Sequence, residues 1–153
     1  MEESKKKVVV GGTFDLFHKG HKALINRALE IGDLYLGLTS DNMAKEMKRR
    51  DVESFQDRKK NLIDYLVNDL KKDLEVIEIE DKFGFAINED LDCIVVSSET
   101  EHNAFLINEQ REMLGKKPLE IVRVELVLAD DKKPISSTRI HNKEITKDGE
   151  ILK

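Results

Sequence analysis

Five apolar runs with strand character, Lys7 to Val10, Leu34 to Thr39, Leu74 to Ile79, Cys93 to Ser97 and Ile121 to Leu128, alternate with segments of helical periodicity. Single strands separated by helices pack in one economical way: each helix crosses the sheet and returns the next strand parallel to the last. The alternation predicts an α/β fold, a Rossmann-like, doubly wound, mostly parallel five-stranded sheet with helices on both faces. The 153 residues suffice for one such domain and not for two. No repeat or low-complexity linker divides them, so one domain is expected over residues 1–153. The first helix should run from about Lys19 to Ile31, with Ala23, Leu24, Ala28 and Ile31 on one face and Gly32 as its stop. Others are expected near Gln56 to Asn68 and Asn103 to Leu114, the latter closed by Gly115 with Pro118 beyond. Asp41 to Met47 and Phe85 to Asn88 read as short helical turns. Glu144 to Leu152, with Asp148-Gly149 in its middle, reads either as a small hairpin or as a loose tail.

The first strand hands over to the first helix through Gly11-Gly12-Thr13-Phe14-Asp15-Leu16-Phe17-His18-Lys19-Gly20-His21. A helix N-terminus offers unpaired N–H groups and a positive dipole end, so this junction is suited to phosphate. His18 and His21, spaced i and i+3, share one face of the first turn and aim two imidazoles at one anion. Gly20 lets a ligand approach the backbone, and Gly11-Gly12 permits a tight, strained turn off the strand. The segment is expected to cradle nucleotide phosphates.

Composition narrows the partner. Lysine and arginine total 26 against 31 acidic residues, which argues against a general nucleic-acid binder and requires any phosphate to be held locally. The single cysteine, Cys93, excludes an intrachain disulfide and a cysteine-based zinc site; it reads as a buried strand residue of a protein in a reducing compartment. No apolar segment reaches membrane-spanning length, and Glu2 to Lys7 is charged rather than leader-like. A soluble, cytoplasmic protein without a membrane partner is expected. Oligomeric state is not encoded in any pattern of the sequence.

A Walker A sequence is absent, and Gly11 to Asp15 does not fit G-x-G-x-x-G. Near the other end, Ile135-Ser136-Ser137-Thr138-Arg139 follows Pro134; Ser136 is a good N-cap, and the N–H groups of Ser137 and Thr138 would open a further helix beside the sheet. A second helix N-terminus is thus expected to face the phosphates.

These two segments carry a family likeness. Gly12-Thr13-Phe14-Asp15 with His18-Lys19-Gly20-His21 resembles the (H/T)xGH signature of the nucleotidylyltransferase superfamily, and Ile135 to Arg139 resembles its second, ISSTxxR-type signature. Arg139 follows the threonine directly, two residues earlier than the usual pattern places its arginine. Thr39-Ser40-Asp41, Val95-Val96-Ser97-Ser98-Glu99-Thr100 and Asn108-Glu109-Gln110-Arg111 are similar to the archaeal and eukaryotic branch of the phosphopantetheine adenylyltransferase family. The resemblance implies transfer of AMP from ATP to 4′-phosphopantetheine, giving dephospho-coenzyme A and pyrophosphate. It implies a nucleotide site at Gly12, Thr13, Phe14, His18, Gly20, His21 and Ser136 to Arg139. His18, His21, Lys48 and Thr13 are the implied catalytic set, with Thr13 and Lys48 toward the acceptor; Ser97, Ser98 and Glu99, at the C-terminal end of the fourth strand, are expected in the crevice by position, against nucleotide or pantetheine. Within the basic cluster Lys45 to Arg50, Lys48 is the expected phosphate ligand with Lys45 behind it.

Arg58 and Arg111 are weaker candidates for the phosphates, each reading equally as a member of a helix-surface ion pair, and stay outside this set; His102 and His141 have no assigned role. The implied nucleophile, a phosphate monoester with a second pKa of about 6, is already an oxyanion and needs no general base. That shifts the work to alignment and to positive groups around the in-line transition state. Mg²⁺ would arrive on ATP oxygens and water rather than in a protein carboxylate cage, so no protein metal ligand is expected. Asp15 is expected to brace the loop. The alternatives are another member of the superfamily, namely a cytidylyltransferase, an FAD synthetase or a nicotinamide mononucleotide adenylyltransferase, or a nucleotide sensor without turnover.

Overall fold

A computed structural model describes residues 6–48 and 50–152, so Met1 to Lys5, Arg49 and Lys153 lie outside the described residues. Its elements in chain order are β1 (Lys6–Gly12), α1 (Lys19–Ile31), β2 (Gly32–Thr39), α2 (Asp41–Lys48), α3 (Phe55–Asp64), β3 (Val76–Ile79), β4 (Cys93–Val96), α4 (Glu101–Met113), β5 (Glu120–Arg123) and α5 (Ser137–His141). All four strand pairings are parallel, in the order β3-β2-β1-β4-β5. β1 pairs with β2 along its whole length, from Lys6 opposite Gly32 to Gly12 opposite Leu38. The chain leaves β1 toward one edge and later returns to build the other. The sheet order reverses between β1 and β4, and a crevice opens there at the strand C-terminal ends.

Strand alternation divides the core. Val8, Val10, Leu36, Leu38, Cys93 and Val95 face Ile25 and Ala28 of α1 and Leu62 of α3, all buried. Val9, Ile94 and Val96 face the opposite way, onto Ala104 and Ile107 of α4 with Ala86, Leu91 and Leu119. Helices therefore cover both faces. Burial pushes the Cys93 thiol up to about 11, with the Glu120 carboxylate adding to it, so it is an inert core residue as expected. Among the described residues no helix is long and apolar enough to cross a membrane.

Several boundaries differ from expectation. The helix expected from Gln56 to Asn68 is α3, capped by the Ser54 hydroxyl accepting from the Asp57 N–H, followed by a π-helical turn at Tyr65–Asp69. Phe85 to Asn88 forms hydrogen-bonded turns instead of a helix. β5 stops at Arg123 instead of reaching Leu128. Its neighbour β4 ends at Val96, and after the Val124 N–H has donated to the Val96 carbonyl the chain has run past the sheet. The C-terminal segment is a hairpin: Ile145 pairs with Ile151 around Asp148-Gly149. Ile145 packs with Ala129 and Ile135 in a small separate core that holds the second signature in place.

Candidate active site

β1 ends at Gly12 in extended backbone, and the strained positions fall further along. Phe14 and Leu16 adopt φ of 52° and 49°, the left-handed region that costs a side-chain-bearing residue energy. The tight turn expected at Gly11-Gly12 is thus displaced onto two larger residues. Burial and hydrogen bonds hold them there: the Phe14 ring is in the core, and the Leu16 N–H donates to Glu53 Oε1 at 2.8 Å. Asp15 is buried, with Oδ1 accepting from the Glu53 N–H at 2.9 Å and Oδ2 from Arg50 Nη1 at 2.6 Å. It braces the loop, as expected.

His18 is the N-cap of α1. Its Nδ1 accepts from the Gly20 N–H at 3.0 Å, while His21 Nδ1 accepts from the His18 N–H at 3.1 Å, a reciprocal capping box built from two histidines. A nitrogen that accepts from a backbone N–H carries no proton, so each neutral ring bears its proton on Nε2. The rings stack with centroids 3.7 Å apart, and Phe17 also stacks on His21, at 5.6 Å. A Cβ at Gly20 would stand 2.8 Å from His18 Cε1. In this structure the space left by the glycine is filled by the His18 ring.

Burial holds both rings neutral. It lowers His18 to about 4, with Lys48 nearby acting the same way and Asp15 opposing. For His21, burial lowers the pKa well below the usual histidine range, and His18 and Lys48 add to the effect. An unfolded histidine takes up its proton near 6.5. The unfolded chain therefore binds more protons over the interval down to about 4. His18's contribution to stability is full above pH 6.5 and is lost as the pH falls through its folded value. Denaturant titrations at a series of pH values below neutrality should show falling stability. His18→Asn, which keeps an oxygen for the cap and does not titrate, should flatten that decline. Identical slopes in the two proteins would rule out His18 as a cause.

Ser136 caps α5, its Oγ accepting from the Arg139 N–H at 3.2 Å. α5 is only five residues long, so the second helix dipole expected here is short, and the hydroxyls of the signature matter more than the dipole. Ile135, Ser136, Ser137 and Thr138 line a cleft of about 440 Å³ together with Gly12, Thr13, Phe14, His18, Gly20 and His21. Lys48, Ser97 and Glu99 complete its wall. Lys45 is exposed on the outer side of α2. Two expected residues are not in the cleft. Ser98 is exposed on the turn after β4. The Arg139 guanidinium is drawn away, paired with Asp131 and donating to the Pro134 carbonyl.

Two further arginines depart from their sequence reading. Arg58 and Arg111 are buried rather than paired on helix surfaces. Arg58 donates to the carbonyls of Thr13, Thr39 and Glu53 at 3.1, 2.9 and 2.8 Å, and to Thr39 Oγ1 at 3.1 Å. The Thr39 hydroxyl then donates to Thr13 Oγ1 at 3.1 Å. Arg111 donates to the carbonyls of Ala86, Glu89 and Lys117 behind α4. Their heptad-like spacing was the available signal: Arg58 shares a face with Leu62 and Tyr65, and Arg111 with Ala104 and Ile107. Arg50, with no such spacing, touches both signatures. A second cavity of about 360 Å³ also escaped the sequence reading. It is mostly apolar, lined by Val9, Ile79, Phe83, Phe85, Ile94 and Val96 among others, and meets the first at Gly11, Gly12, Met47, Glu99 and Thr100.

The chain matches the family model described as cytidylyltransferase-like over residues 9–143. It is 47% identical over 152 residues to a phosphopantetheine adenylyltransferase of Methanosarcina mazei, covering 96% of this chain and 97% of that one. A phosphopantetheine adenylyltransferase of Archaeoglobus fulgidus is 41% identical over 148 residues, covering 95% and 99%. Among solved structures, a protein of unknown function from Archaeoglobus fulgidus superposes with a TM-score of 0.75 at 36% identity, covering 85% of this chain and 99% of that one.

Proposed function

The chain belongs to the cytidylyltransferase-like family of nucleotidylyltransferases, and from that membership we propose its reaction. It transfers the adenylyl group of ATP to 4′-phosphopantetheine, forming dephospho-coenzyme A and pyrophosphate, a step of coenzyme A biosynthesis; its relatives bear the name of that activity. The single observation that carries the choice of acceptor is the junction of the two cavities at Gly11-Gly12. A polar cleft with a helix N-terminus suits a triphosphate, and an adjoining apolar cavity suits an uncharged pantetheine arm. Where they meet, beside Thr13, the terminal phosphate of the acceptor comes against the α-phosphate of ATP.

A phosphate oxygen of the acceptor attacks the α-phosphorus. One P–O bond forms there as the bond to the β-phosphate breaks, and the electron pair leaves with pyrophosphate. The nucleophile is ionised near neutral pH, because its second pKa is about 6, so alignment and charge stabilisation carry the catalysis. His18 and His21 donate Nε2–H to the triphosphate, His21 at the α-phosphate, and Lys48 spans nucleophile and α-phosphate. Thr13 orients the attacking phosphate. Because Arg58 donates to Thr39 and Thr39 to Thr13, the Thr13 hydroxyl has its proton free to give. Mg²⁺ belongs to the substrate as MgATP; both oxygens of Asp15, a buried acid of the cleft, are already engaged by Arg50 and the Glu53 N–H, which suits an ion held by ATP and water.

Pyrophosphate release is to be measured with Mg²⁺ and either ATP or CTP, offering 4′-phosphopantetheine, nicotinamide mononucleotide, FMN and glycerol 3-phosphate separately. Turnover is expected only with ATP and phosphopantetheine. Another productive pair would move the substrate and keep the mechanism. Tight ATP binding without any turnover would make the protein a sensor.

A further inference from the structure

The Arg50 guanidinium, on the loop between α2 and α3, bridges the two signatures. It donates from Nη1 to Asp15 Oδ2 at 2.6 Å, from Nη2 to Ser137 Oγ at 3.0 Å and from Nε to Thr138 Oγ1 at 3.4 Å. All three nitrogens are engaged, a geometry that the planar fork of arginine permits and a lysine ammonium does not reproduce. Ser137 is buried at the cleft wall, and among the described residues its hydroxyl has no other hydrogen-bond partner. A hydroxyl that accepts from a guanidinium has one proton left to donate. The side open to Ser137 is the cleft.

The geometry points to Arg50 as the positioning residue that sets the Ser137 hydroxyl, and more weakly that of Thr138, as donors to the triphosphate of the nucleotide. Arg50 acts through these hydroxyls, and its own charge is matched by the buried Asp15 carboxylate. The arginine inside the second signature does not take this place, since Arg139 is held by Asp131 and Glu144 on the far side. The five-residue α5 contributes little dipole of its own, so the direction of two hydroxyl protons decides how well this wall accepts an anion. The inference rests on the ATP-dependent reading above, but not on the identity of the acceptor.

A double-mutant cycle in ATP affinity, read by calorimetry without any acceptor, tests it. Arg50→Lys keeps a cation opposite Asp15 and loses the fork; Ser137→Ala removes the hydroxyl. Each single change should weaken ATP about tenfold, the scale of one charge-assisted hydrogen bond. The double variant should be little weaker than Ser137→Ala alone, because only the longer contact to Thr138 is then left for the arginine to orient. Ser137→Thr should restore most of the affinity. Additive losses, or an Arg50→Lys protein that binds ATP like the wild type, would overturn the role. If Arg50→Lys melts early because Asp15 is poorly paired, Asp15→Asn/Arg50→Gln, which buries no lone charge, is compared with Asp15→Asn for the same loss. Wild-type turnover with phosphopantetheine is followed in parallel. Failure of that turnover with the cycle intact removes the acceptor assignment alone, and an additive cycle with turnover intact removes Arg50 alone.

Discussion

His21→Ala should lower kcat by roughly 100- to 1,000-fold, about 3 to 4 kcal/mol of barrier, the usual scale for losing one preorganised donor at a developing charge. The ring is held by three contacts, the stack on His18, the face of Phe17 and the bond from the His18 N–H to Nδ1. Its Nε2–H therefore has a fixed direction, and little reorganisation accompanies charge development at the α-phosphate. The alanine variant also loses one arm of the capping box, which costs about 1 kcal/mol of stability, so a fall in activity alone does not separate donor from cap. His21→Asn separates them. Its side-chain oxygen takes the place of Nδ1 as acceptor and preserves the cap, while nothing replaces the Nε2 donor. Steady-state rates with saturating MgATP should be as low for asparagine as for alanine, with a melting temperature closer to the wild type. Near-normal turnover in either variant would remove His21 from the mechanism.

The neutral state of the histidines was the part of this site least open to sequence reading. Position within the motif placed both rings at a helix start, which the structure bears out, but their charge depends on burial and on the Nδ1 atoms being occupied by backbone N–H groups. Only the folded loop supplies both conditions. α1 was legible to the residue, Lys19 to Ile31, because an amphipathic stripe and a terminal glycine coincide there. β5 was not, since its apolar pattern continues past Arg123 along a chain that no longer has a neighbouring strand; Leu126 and Val127 then serve the cleft wall. Lys48 and Lys45 differ by less than one helical turn, and only the fold separates them: Lys48 lines the cleft and Lys45 is exposed outside it. Arg50 lies in the same basic cluster and looks solvated in sequence. Its role comes from Asp15 and Ser137, residues 35 and 87 positions away, and no local pattern encodes such distances.

Arg58→Ala is the substitution expected to cost most in stability, about 3 to 5 kcal/mol in urea unfolding, the range for removing one partner of a buried charged network. Arg58 is fully buried, and its guanidinium is the donor that the carbonyls of Thr13, Thr39 and Glu53 share. Those carbonyls belong to the end of β2 and to two loops, and each unsatisfied buried acceptor carries its own desolvation penalty. Asp41, the carboxylate facing Arg58 at 3.2 Å, is half exposed, so Asp41→Asn should lose much less. Arg111→Ala provides the control. It strips a comparable set of carbonyls behind α4, outside the cleft that the histidines line, and should be destabilised on a similar scale. Assayed at a temperature where each variant remains folded, Arg111→Ala should keep kcat near the wild-type value. Arg58→Ala should not, because the Thr39 hydroxyl loses its donor and Thr13 loses the fixed direction of its proton. Equal activity in the two variants would reduce Arg58 to a purely structural residue and break the link from the buried guanidinium to the attacking phosphate.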